Sequence, residues 1–160
     1  PENYVDVEGQ EFTCPVGNEQ YKGYNVVYKA FYTRWPDSVN WYEAHAACQA
    51  LGNGVTLARA FCADENQFMR SLAVESVGGP TWIGGKEIDG QGSWVWADND
   101  DENENYSGTL IFEEGLFNHF EYGLQRSEAN HCTDVVRSAY WNYVSCDFTL
   151  DGYLCEKRFY

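Results

Sequence analysis

Six cysteines, at positions 14, 48, 62, 132, 146 and 155 of a 160-residue chain, constrain this protein more than any other feature. Their number is even and the chain carries a single methionine, a usage that fits an oxidising compartment in which thiols become structural cross-links. Zinc would need close pairs such as C-x-x-C, and none occurs. Disulfides are therefore the expected state, although spacing alone leaves the connectivity open. The length suits one domain with a proper core, divided here into a polar N-terminal tail or irregular strand over 1–13 and a domain over 14–160.

No apolar run is long enough to span a bilayer. A start at Pro1, without Met or an apolar leader, reads as a mature secreted product, and an extracellular location is expected. The net charge of −15, from 25 acidic and 10 basic residues, disfavours nucleic acid and anionic membranes and suits cations, basic partners or neutral sugars.

Val, Tyr and Phe from Tyr21 to Tyr32 predict a strand. Trp41, Ala44, Cys48 and Leu51 recur at helical spacing, and Gly52-Asn53-Gly54 ends that helix. Val55 to Phe61 reads as a buried strand. Ala63-Asp64-Glu65 opens a second helix with the carboxylates its dipole favours, and Gly78-Gly79-Pro80 stops it. Short strands follow at 81–84 and 93–97, with Trp94 and Trp96 on one face. The polar stretch up to His131 reads as a long functional loop, and strands at 132–136, 140–146 and 153–160 close an α+β domain.

In this order the motifs resemble the C-type lectin-like domains, over 14–158. Cys14-Pro15-x-Gly17 with Tyr21-Lys22-Gly23-Tyr24 resembles the family's opening strand, and Trp41-Tyr42-Glu43-Ala44 up to Cys48 its first helix. Leu57-Ala58 leading to Glu65-Asn66-Gln67-Phe68 is similar to the second helix, and Trp82-Ile83-Gly84-Gly85 to the WIGL core motif. Trp141-Asn142 before Cys146, then Tyr153-Leu154-Cys155-Glu156, resemble the final strands. The resemblance implies two helices flanking small antiparallel sheets, with bridges Cys48–Cys155 and Cys132–Cys146. The first would close a loop worth roughly 4–5 kcal/mol on a chain-entropy model. Cys14 and Cys62 are left over; an inter-chain link making a covalent dimer is the preferred expectation, and an internal bridge between them the alternative.

Sugar-binding members of the family hold Ca²⁺ with an EPN or QPD triplet, an acid before the third disulfide cysteine, and WND. Here the triplet region reads Gly123-Leu124-Gln125-Arg126, Asn130 replaces the acid, and Trp141-Asn142 is followed by Tyr143. Neutral amides beside an arginine make a poor calcium site, since the ion wants several charged oxygens. No cofactor is therefore required, and Tyr122, Gln125, Arg126, Asn130, Asn142 and Tyr143 are the candidate ligand-binding residues, with Phe120 filling the loop core. Glu65 and Glu156 match the two acids of an auxiliary Ca²⁺ site in some relatives. The acidic run 98–104 lacks the EF-hand glycine at Asn103 and the bidentate acid at Thr109. Asn105-Tyr106-Ser107 is a glycosylation sequon.

His45, His119 and His131 lie in no nucleophile or metal motif, and no GxSxG, HExxH or P-loop occurs, so an enzyme is not expected. The expected function is an extracellular glycan-binding lectin with a non-standard site, bivalent through a disulfide-linked dimer. The alternative is a protein-binding or acidic matrix and mineral-associated domain of the same fold.

Overall fold

The computed structural model describes residues 3–13, 26–36, 38–60, 63–87, 94–97, 131–135 and 141–159. Alternation organises the first two strands. In β2 (Val26–Trp35), Lys29, Phe31 and Thr33 are buried on one face, while Tyr28, Ala30, Tyr32 and Arg34 occupy the other. Strand β1 (Asn3–Thr13) pairs antiparallel with β2 from Asn3↔Trp35 to Thr13↔Val26. Residues 3–13 are thus an integral strand and not a tail. Val5, Val7 and Phe12 supply its apolar side, but the register slips between Val7 and Gln10, which breaks the period of two that would have marked a strand.

Helix α1 (Trp41–Ala50) starts at a capping box. Asn40 Oδ1 accepts from the Glu43 N–H at 2.9 Å, and the Glu43 carboxylate accepts from the Asn40 N–H at 3.0 Å. The helix buries Trp41, Ala44, His45 and Cys48. Strand β3 (Val55–Leu57) is shorter than the apolar run predicts, since Ala58–Ala60 leave the ladder. Helix α2 (Ala63–Ser76) buries Met69, Leu72 and Ala73 together with Glu65 and Asn66. Then come β4 (Thr81–Glu87), β5 (Trp94–Trp96), β6 (His131–Val135), β7 (Trp141–Ser145) and β8 (Gly152–Phe159).

The strands form one sheet in the order β1-β2-β8-β4-β6-β7, with β3 beside β8 and β5 beside β4. Two cores result. One gathers Phe12, Phe31, Met69, Trp94, Trp96, Trp141 and Leu154; the other gathers Trp41, Leu57, Trp82, Val95 and four half-cystines. Those cysteines pair as Cys48–Cys155 and Cys132–Cys146, the connectivity the resemblance implies. Cys14 and Cys62 lie outside the described residues. Tryptophans at 41, 82, 94, 96 and 141 are fully buried and divide between the two cores.

Strand β4 is buried along its whole length, and its glycines are needed for close approach. A Cβ at Gly85 would lie 2.7 Å from Thr133 Oγ1 and 2.8 Å from its Cγ2. Thr133 Oγ1 also accepts from the Gly85 N–H and donates to the Gly85 carbonyl. Gly85→Ala should cost about 1–3 kcal/mol by overpacking, read as a lower urea midpoint at unchanged slope.

Candidate functional site

The hairpin of β6 and β7 carries the described part of the candidate ligand site. Its register places Cys132 opposite Val144 and Asp134 opposite Asn142, and the Cys132–Cys146 bridge locks one end. Trp141 is buried and donates its indole N–H to Asn66 Oδ1 at 2.5 Å, tying β7 to α2. The next two residues face opposite ways. Asn142 is exposed. Tyr143 is half-buried, edge-on to Trp94 at 5.9 Å and to His131 at 5.6 Å between ring centroids. Consecutive strand residues project to opposite faces, so the exposed Asn142 amide can hydrogen-bond a neutral polar ligand while the Tyr143 ring packs toward the Trp94 core. Tyr122, Gln125, Arg126 and Asn130, with Phe120, the run 98–104 and Asn105, lie outside the described residues.

Asp134 belongs to this site and was missed in the sequence, where it reads as one more residue of a short strand. It is buried and hydrogen-bonded to Asn142, and its Oδ1 has no partner among the described residues. Burial pushes its carboxyl up to about 6, against the hydrogen bond from Asn142. The signal available was its place two residues after Cys132, directly across the ladder from Asn142.

The auxiliary calcium reading meets a different arrangement. Glu65 from α2 and Glu156 from β8 do converge, both fully buried, but the cation between them is Lys29. The Lys29 ammonium pairs with Glu65, donates to Glu156 Oε1 at 2.7 Å, and donates to the Arg59 carbonyl at 2.6 Å. Glu156 also accepts from the Arg59 N–H at 2.6 Å and from the Arg59 and Arg158 guanidinium groups at 3.2 and 3.5 Å. Burial alone would raise the Glu156 carboxyl, but the charges of Lys29, Arg59 and Arg158 outweigh it and bring it down to about 2. Burial pulls Lys29 below the ordinary lysine value, and its carboxylate neighbour opposes that shift. Glu65 and Glu156 therefore do not fit a calcium site, because an ammonium fills it and two guanidinium groups flank it. Among the described residues, no group of three or more His, Cys, Asp or Glu side chains could hold a metal ion. Glu65→Gln should leave the response of the thermal midpoint to millimolar Ca²⁺ or EDTA the same as in the wild type within about 1 °C, since a ligand stabilises only a fold that binds it and Lys29 fills this place.

The sequence model of the lectin C-type domain matches residues 37–157. The chain belongs to the C-type lectin domain family. Family membership rests on most of the chain and on the two disulfides, and it places the protein in a class of binding domains and not of enzymes. Among curated relatives, a snaclec of Philodryas olfersii is 36% identical over 93 residues, covering 58% of this chain and 56% of that protein. The chain thus spans little more than half the length of that relative. The galactose-specific lectin nattectin of Thalassophryne nattereri is 29% identical over 125 residues, covering 76% of this chain and 69% of nattectin. The crystal structure of human lithostathine superposes with a TM-score of 0.62 at 22% identity, over 82% of this chain and 84% of that one, and so shares the fold. Among the described residues no helix is long and apolar enough to cross a membrane.

Proposed function

We propose that this C-type lectin domain binds glycans without calcium, through the end of β7 and the chain preceding β6. The observation that carries this reading is the amide of Asn142, exposed on β7 next to the buried anchor Trp141 and across the ladder from Asp134, with the Tyr143 ring on the other side of the same strand. Tyr122, Gln125, Arg126 and Asn130 complete the site, supplying a ring, amides and a guanidinium group that suit sugar hydroxyls and CH faces. Support comes also from relatives named as lectins, nattectin among them. Glycosylation at Asn105 and secretion belong to the same reading. Weak sugar sites gain from bivalency, and Cys14 or Cys62 linking two chains would supply it.

A glycan array run with Ca²⁺ and again with EDTA tests the proposal. Binding should survive EDTA, and Asn142→Ala should weaken it about tenfold, the loss of one charge-free hydrogen-bonding group with its partner left unpaired. Binding lost in EDTA would refute the calcium-free site. No binding in either buffer would favour the alternative, a protein or acidic-matrix partner. Non-reducing electrophoresis should show a band of twice the mass that collapses on reduction.

A further inference from the structure

The sheet face opposite the Lys29 cluster carries a groove that the lectin reading does not use. Helix α1 packs on this face near Tyr153 and Cys155, where Cys48 is cross-linked. Farther along, a depression of about 510 Å³ is left open, lined by Glu8, Gly9, Tyr28, Ala30, Tyr32 and Phe159. Its construction follows from register. Tyr28 and Phe159 face each other across β2 and β8, Tyr32 lies farther along β2 on the same face, and buried Ala30 floors the space between. The slip in β1 between Val7 and Gln10, with Gly9 at φ +73°, brings Glu8 to the rim.

The composition of this wall is unusual for a solvent face. Tyr28 and Phe159 stay 47% and 45% exposed, and Tyr4, on the same face of β1, is 67% exposed. Carboxylates surround the rings: Glu11 accepts from the Tyr28 hydroxyl at 3.3 Å, and Asp6 pairs with Arg34 at 2.6 Å. The face already seats cations over two of the rings that line the groove, Lys157 standing across the ladder from Ala30 and Arg34 beyond Tyr32. Lys157 Nζ lies 5.5 Å from the Phe159 centroid, and the Arg34 guanidinium lies 5.3 Å from Tyr4 and 6.0 Å from Tyr32. Beside these resident cations, Tyr28, Tyr32, Phe159 and Glu8 still border open space on a chain of net charge −15. Ring faces and a carboxylate attract a cation together, and a desolvated guanidinium or ammonium gains most from such a cup.

We propose that this groove is a second binding site, for an arginine or lysine side chain presented by a basic protein partner. It is separate from the β7 site, so either can fail alone. The test is a proton–nitrogen NMR titration of the whole chain with N-acetyl-arginine amide, N-acetyl-lysine amide and, as a neutral control, methyl galactoside. The cationic probes should shift the amides of Gly9, Ala30, Tyr32 and Phe159 first, and the sugar should leave them unmoved. Tyr28→Ser and Phe159→Ser, both at exposed positions, should each weaken the cation about two- to fivefold, and Glu8→Gln should do so in a salt-dependent way. Asp64→Asn, on α2 outside this face, should change nothing. Shifts spread over the acidic surface and indifferent to the ring variants would overturn the proposal in favour of general attraction to a polyanion. Groove shifts with the sugar alone would make it a sugar platform, and the absence of any groove shift would remove the site.

Discussion

Lys29→Met should destabilise the protein by about 3–5 kcal/mol at neutral pH, because it strands Glu65 and Glu156 as buried carboxylates without their shared cation. The chain length of Met is close to that of Lys, so packing changes little and the loss reports charge. Urea unfolding is the measurement. Glu65→Gln added to Lys29→Met should recover part of the loss, since one stranded charge is removed and Glu156 keeps Arg59 and Arg158. The pH dependence carries a definite sign. Glu156 is held at about 2 in the fold against 4.5 for the free group, so its contribution is present above pH 4.5 and lost as pH falls toward 2. In Lys29→Met this acid limb should begin at higher pH. An unchanged midpoint and acid limb would mean that the ammonium does not hold the two acids together.

Asp134→Asn should stabilise the protein at pH 7.5, by up to about 3 kcal/mol, the cost of ionising a carboxyl whose folded pKa is raised from 3.8 to about 6. Here the sign is opposite. Below pH 3.8 the group is protonated folded and unfolded and costs nothing; stability falls as pH rises from about 4 to 6 and stays low above. The wild-type profile should therefore peak between the two transitions, near pH 4 to 5, and the Asp134→Asn profile should lose its descent on the alkaline side. Thermal midpoints measured every half pH unit would show both limbs. A retained descent in the variant would place the raised group elsewhere. Since Asp134 bonds Asn142, the same variant also asks whether a stability cost beside the candidate site serves binding.

Much of the architecture could be read from residue order. Trp41 to Leu51 at helical spacing, the acids of Asp64 and Glu65 and the Trp94-Val95-Trp96 alternation each fix local structure through periods that depend only on neighbours. The two described disulfides followed from the resemblance and not from spacing. Strand β1 was obscured because a one-residue slip shifts its apolar side from odd to even positions. The Lys29 cluster was hidden for another reason. Two acids 91 positions apart were matched, but the residue that neutralises them comes from a third segment, and nothing in its surroundings distinguishes an inward lysine from an outward one. Asp134 was overlooked likewise, since its burial depends on strands packed from both sides.

The position of β8 in the sheet bears on how the molecule is made. This strand sits at the middle, bonded to β2 and β3 and running parallel to β4, yet it is the last of the described strands in sequence. Tyr28 waits for Phe159, and Cys48 for a partner 107 residues downstream. During synthesis, β1, β2 and α1 emerge with their apolar faces unpaired, and none of the earlier described strands closes the gap. The expected consequence is slow folding set by the insertion of β8 and not by the helices, with aggregation-prone surface exposed until that strand is in place.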